Sequence, residues 1–190
     1  MSNTKERIVN ASLELFAEQG YQLTTVKMIA KKVGVNELTI YRHFGSKDKI
    51  LENVLSVVSI IQPNISNYLK NDVVYDLKTD LLNVAKIFVK INEDYYYFMK
   101  FLLRADTNRI LPNRELEIKE LFDDYFLVMK KLGKIVSIDH KSLTLLYFST
   151  LQGAFLLKEQ YKEEGIFLEP TWSSYIETVV KVLLKGLEVE

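Results

Sequence analysis

Apolar residues recur along this chain with helical spacing almost from end to end. Ile8, Ala11, Leu15 and Phe16 share one helical face, with Asn3 or Thr4 as a cap before them and Gly20 as a stop after them. Val26, Ile29, Ala30 and Val33 stand at i, i+3, i+4 and i+7 behind the capping pair Thr24 and Thr25. Gly34 follows and can take the left-handed conformation that a sharp helix end requires. The second helix is therefore short, about two turns. Val35 resumes an apolar contact, Asn36 can cap again, and Ile40 with Phe44 makes an i, i+4 pair over a third short helix. Ser46 then caps a longer helix through Ile50, Leu51, Val54, Leu55 and Val58, which stops near Pro63. Farther on, helices are expected near 73–91, 93–106, 114–132, 139–162 and 171–187, with breaks at Leu111-Pro112-Asn113 and Glu169-Pro170. No strand alternation competes with them, so the expected fold class is all-α.

Two short helices joined by Val33-Gly34-Val35 spell a helix-turn-helix, in which the second helix is offered to a DNA major groove and the first braces it. Gly34 allows the tight turn and Ala30 a close helix approach. Ile29, Val35, Ile40 and Phe44 are expected to bury between the helices, leaving Glu37, Leu38, Thr39, Tyr41, Arg42 and His43 for other faces. Neighbouring Tyr, Arg and His side chains suit phosphate oxygens and base edges. Taken singly, His43 reads as well as a partly buried structural residue, Tyr41 as the edge of a core, and Lys31-Lys32 as a solvated face. The agreement of spacing, caps, glycine and donors over one segment favours the DNA reading.

Charge sharpens this picture. The 190 residues carry 25 basic and 25 acidic side chains, yet residues 1–49 hold eight Lys or Arg against five acids. A head of charge +3 therefore precedes a remainder of −3, as expected if one end meets an anionic partner. The chain has no cysteine, which excludes disulfides, thiolate-held zinc, iron–sulfur centres and thiol nucleophiles. The opening residues lack the apolar core of a secretory signal, and the longest uncharged stretches, 53–69 and 142–157, fall short of the ~20 residues a bilayer span needs. A cytoplasmic location away from membranes is expected.

Enzyme chemistry finds no foothold. The seven glycines are never closer than 11 residues, which leaves no dinucleotide fingerprint or phosphate loop. His43 and His140, the only histidines, lack spaced carboxylate partners. No catalytic residue, metal ligand or cofactor is expected.

From Thr25 to Leu51, TVKMIAKKVGVNELTIYRHFGSKDKIL resembles the TetR (tetracycline repressor) family of bacterial one-component regulators. That family's signature reads roughly T, three residues, I-A, two residues, small-G-V-S, three residues, L/I-Y, one residue, H-F, two residues, K, two residues, L. Two departures are visible: Asn36 replaces the commoner Ser at the recognition-helix cap, and Val33 the usual Ala before the glycine. The resemblance implies phosphate contacts for Thr25, Tyr41, His43 and Lys47. It sets Lys27, Asn36, Glu37, Leu38 and Arg42 where they can reach base edges: Arg42 would suit guanine, Leu38 a thymine methyl and Glu37 a cytosine amino group. The resemblance covers about the first 53 residues.

Of 22 aromatic residues, 18 lie after residue 49, including Tyr95-Tyr96-Tyr97-Phe98, which point in all directions on a helix. Some are expected to line a cavity or a partner surface. Tyr95, Phe98, Phe101, Phe126, Tyr147 and Gln152 are the candidate lining for a small apolar or aromatic ligand, with ordinary core packing as the other reading of each. Tyr147 and Gln152 stand out because burial of a polar tip on an apolar helix demands a hydrogen-bond partner. Residues 142–157 are apolar nearly all round and so must be buried on several sides. The family resemblance implies a homodimer through 139–162 and 171–187, which a charge at Leu183 or Val180 is expected to break. The expected organisation is a helix-turn-helix DNA-binding domain at 1–46 followed by a helical ligand-binding and dimerisation domain at 47–190. The function expected is that of a repressor that binds a palindromic operator in double-stranded DNA and is released by a small molecule. The alternative is a co-activator or architectural partner on the same fold without its own inducer.

Overall fold

A computed structural model describes residues 3–56, 64–104, 114–162, 165 and 171–187. Regular structure among them is all helical. In chain order the α-helices are α1 (Thr4–Gln19), α2 (Val26–Val33), α3 (Glu37–Phe44), α4 (Lys47–Leu55), α5 (Leu77–Asp94), α6 (Tyr96–Arg104), α7 (Arg114–Lys131), α8 (His140–Gln160) and α9 (Trp172–Leu187). Packing divides the chain into two compact units, 1–62 with 94–112, and 63–93 with 113–190.

In the first unit, local chemistry sets the helix ends. Asn3 and Glu6 form a reciprocal capping box on α1, and Gly20 ends it at a φ of 88°. Thr25 caps α2 through the Met28 amide, Asn36 caps α3 through the Leu38 amide, and Ser46 caps α4 through the Lys49 amide. Gly34 takes the left-handed conformation (φ 77°, ψ 39°), so Ala30 O receives both the Gly34 and Val35 amides. The Arg7 guanidinium donates to the Val33 carbonyl at 2.6 Å, placing positive charge at the negative end of α2.

The core of this unit joins Ile8, Phe16, Ile29, Ile40, Phe44, Ile50 and Val54 to Phe98 and Phe101 of α6. The Phe16 ring lies 6.0 Å from that of Phe101. Each such fully buried side chain contributes roughly 1.5–3 kcal/mol. The helix-turn-helix is therefore held by a segment far along the chain, and packing places α4 and α6 with the head rather than dividing the chain at 46/47.

The second unit is organised around Asp80. Its buried carboxylate accepts from the Tyr68 hydroxyl at 2.6 Å, the Tyr125 hydroxyl at 2.9 Å and the Val74 amide at 3.1 Å. Burial beside that carboxylate pushes Tyr68 up to about 12 and Tyr125 higher still. Tyr68 sits in a wide π-helical turn, Tyr68–Asp72, which follows one helical turn at 64–67. The sequence pattern gave no helix there and expected the next one from 73; Asn64, Asn67 and Asn71 are weak helix formers, and the segment is anchored by a partner twelve residues on. The expected break between 91 and 93 lies at Tyr95 instead, between α5 and α6.

Phe122 centres the aromatic part of the second unit, 5.8 Å from Tyr147 and 4.6 Å, edge-on, from Phe148. Tyr175 donates to the Thr150 carbonyl at 2.8 Å, tying α9 to α8. Val180 is buried in this packing, so a charge there would disrupt the unit itself. Among the described residues no helix is long and apolar enough to cross a membrane, and no three His, Asp or Glu residues are grouped to hold a metal ion.

Candidate nucleic-acid interface

The surface of the helix-turn-helix follows from its caps. Asn36 Oδ1 takes the Leu38 amide at 2.9 Å, so α3 begins with Glu37 and presents Leu38, Tyr41 and Arg42 at i, i+3 and i+4. Ile40 and Phe44 of the same helix are buried, whereas Leu38 is 74% exposed and Tyr41 47% exposed. Arg42 and His43 are exposed beside them, and Glu37 is half-buried. A helix whose apolar face is inserted into the head thus turns one aliphatic, one phenolic and one guanidinium side chain outward, a set suited to a thymine methyl, a phosphate and a guanine edge.

Exposed Thr25 and Lys27 stand at the start of α2. Thr25 Oγ1 accepts from the Met28 amide at 3.2 Å, which occupies its acceptor role and leaves its hydroxyl proton to donate outward. The unsatisfied amides of the first turn add the positive end of a helix dipole. On the opposite side Lys32 is engaged within the head: it pairs with Glu14 at 2.7 Å, and the hydrogen bond to that carboxylate holds its ammonium above the ordinary lysine value.

Lys47, expected as a phosphate contact, lies against the turn between α1 and α2. Its Nζ donates to the carbonyls of Tyr21 and Thr24, each at 2.9 Å, and lies 4.2 Å from the centre of the Tyr21 ring. The Tyr21 hydroxyl in turn donates to the Asp48 carboxylate. Burial and that neighbouring carboxylate push the phenol far above its ordinary value. These contacts bridge 23 to 27 residues, a separation at which no local sequence pattern announces a partner.

The six candidate ligand-lining residues fall in different surroundings. Phe98 and Phe101 are buried in the core of the first unit, and half-buried Tyr95 packs against that core. Phe126 and Tyr147 belong to the aromatic cluster around Phe122 in the second unit, where Gln152 is half-buried. Tyr147 already donates to the Leu81 carbonyl, so its hydroxyl needs no ligand to be satisfied. Among the described residues of the second unit, two buried side-chain oxygens are left without a hydrogen-bond partner: Asp123 Oδ1 on α7 and one the sequence did not single out, Asn92 Oδ1 on α5. A lone Asn on the apolar stripe of Val84, Ala85, Phe88 and Ile91 was the signal available for it.

These features define a helix-turn-helix DNA-binding transcriptional regulator. Residues 8–54, the head, match the model of the bacterial regulatory proteins of the tetR family. The uncharacterized HTH-type transcriptional regulator YvkB of Bacillus subtilis is 28% identical over 161 residues, covering 82% of this chain and 83% of that protein. The HTH-type negative transcriptional regulator IcaR of the biofilm operon icaADBC in Staphylococcus aureus is 24% identical over 193 residues, covering 94% and 96%. In fold, the ketosteroid transcriptional regulator KstR2 of Mycobacterium tuberculosis superposes with a TM-score of 0.81 at 14% identity, over 100% of this chain and 97% of that one.

Proposed function

We propose that this regulator is a ligand-responsive repressor that binds a palindromic operator as a homodimer and leaves it when a small, mostly apolar molecule binds the body. The observation that carries the reading is the exposed stripe of Leu38, Tyr41 and Arg42 on a recognition helix fixed by the Asn36 cap, beside exposed Thr25 and Lys27. In this reading residues 1–46 contact DNA and residues 47–190 dimerise and bind the effector, with α4 and α6 built into the packing of the head. The protein acts in the cytoplasm as a binding protein without catalysis. IcaR, a negative regulator of similar length, supports the sign of regulation, and the ketosteroid regulator supports an apolar effector.

Dimerisation is supported by the outer face of α8, where Leu145, Leu146, Leu156 and Leu157 are exposed around Gly153. A side chain at Gly153 would meet no atom within 4 Å, so that face has room for a second helix to approach closely. Val182 on α9 is exposed as well. One head reads too few base pairs to find a site in a genome, so two must be paired at the spacing of a helical turn or its multiple, ~34–36 Å per turn.

The test is selection of bound sequences from a random duplex pool by the full-length protein, followed by binding titrations with and without a library of apolar compounds. Enrichment of one palindrome and its release by a compound are expected. Failure to enrich any sequence would overturn the repressor reading.

A further inference from the structure

We propose that Lys47 is a positioning residue of the DNA-binding head and not a phosphate ligand: it and Asp48 clamp the α1–α2 turn so that Thr25 and the first amides of α2 face DNA. This inference rests on the reading of the head as a DNA-binding module. A lysine ammonium has three donors and no acceptor. Two of Lys47's are directed at the carbonyls of Tyr21 and Thr24, and the charge lies close to the Tyr21 ring. Only the third is left over, and it belongs to a charge already seated against that ring.

The turn has reason to need such a clamp. The chain leaves α1 at Gly20 and must deliver Thr25 as the cap of α2 in only a few residues. Inside the turn, buried Thr24 donates from its hydroxyl to the Gly20 carbonyl at 2.9 Å and accepts from Gln19 Nε2 at 3.1 Å. The Thr24 carbonyl and the Thr25 amide belong to one planar peptide group. A hydrogen bond from Lys47 to that carbonyl therefore fixes the direction of the Thr25 N–H, at the mouth of the α2 amides. Asp48 grips the other end of the turn through the Tyr21 hydroxyl. Two consecutive residues at the start of α4 thus hold both the backbone and the side chain of the turn, and direct contact with DNA passes to neutral donors.

The experiment measures affinity for a mixed-sequence duplex across a KCl series, using full-length protein unsubstituted, with Lys47→Met and with Lys47→Arg. Amide hydrogen exchange of residues 21–25 is followed without DNA. Loss of the clamp is expected to weaken binding roughly tenfold, the equivalent of one charge-assisted hydrogen bond, and to speed exchange in the turn. The salt dependence is expected to stay unchanged in Lys47→Met, because neutral donors release no counterion. Lys47→Arg is expected to be impaired as well, since a planar fork does not fit a seat made for a compact ammonium. A phosphate ligand would behave oppositely: the slope would fall by about 0.9 per head in Lys47→Met, and Lys47→Arg would bind as well as the original. Either result, or unchanged exchange in both variants, overturns the proposal. Absence of duplex binding by the unsubstituted protein would instead sink the DNA reading, and the exchange measurement would still decide whether the clamp exists.

Discussion

Asn36 and Leu38 are locked together at the start of α3: the Asn36 carbonyl oxygen Oδ1 holds the Leu38 amide at 2.9 Å, and the Leu38 side chain is left 74% exposed on the first turn of the helix. An exposed leucine stabilises nothing in the free protein. In the major groove the apolar feature it can cover is a thymine methyl. Replacing thymine by deoxyuridine at one position of each operator half-site is therefore expected to weaken binding about fifteenfold, the equivalent of burying two methyl groups, one per half-site. With Leu38→Ala the two operators should bind equally. A full-strength uracil operator with unsubstituted protein would remove Leu38 from base recognition.

The head was legible in the sequence because its information is local. Thr25, Gly34, Asn36 and Ser46 act within four residues of themselves, and the recognition surface follows from which side of Ile40 and Phe44 is buried. What escaped depends on distant partners. Phe98 and Phe101 look like any aromatic pair until Phe16 is seen beside them. The Tyr147 hydroxyl is satisfied by a carbonyl 66 residues away. Lys47 matches a phosphate-binding pattern in sequence and is drawn inward by carbonyls that no spacing rule locates.

The α8 face and the interior of α9 separate two effects of added charge. Leu145→Glu or Leu156→Glu places a carboxylate on an exposed apolar surface, so the expected product is a folded monomer, checked by light scattering together with circular dichroism. Val180→Glu buries the charge instead and is expected to cost roughly 3 kcal/mol or more of stability, seen as a lower melting temperature. Unchanged dimers in both Leu variants would move the interface off this face.

Alkaline pH should open the second unit. Tyr68 and Tyr125 ionise only well above the ordinary value of about 10, because burial and the Asp80 carboxylate disfavour their phenolates. Burial likewise raises Tyr147. Above pH ~10 the unfolded chain releases these protons while the folded one keeps them, so the unfolded state binds fewer and stability falls as pH rises. Their contribution is complete below pH ~10 and, for Tyr68, is lost as pH climbs toward about 12. Tyrosinate absorbance should therefore rise together with loss of helical circular dichroism. In Asp80→Asn, the neutral partner should let the phenols titrate at lower pH.

Asn92 lets one substitution test stability and response together. Its Nδ2 donates to the Phe88 carbonyl at 2.7 Å, which identifies Oδ1 as the acceptor left unpaired in a residue only 3% exposed. A buried acceptor without a partner costs about 1–3 kcal/mol. Asn92→Leu keeps the branching and the number of heavy atoms, and the Phe88 carbonyl remains engaged by the helix ladder. The substitution is therefore expected to raise the melting temperature by roughly 2–4 °C per kcal/mol recovered. If an effector with a hydroxyl or amine donor meets Oδ1, the same variant should keep operator binding yet lose release by that compound, while compounds lacking a donor still release it. A variant that is less stable than the original, or that responds equally to both kinds of compound, would deny Asn92 this role.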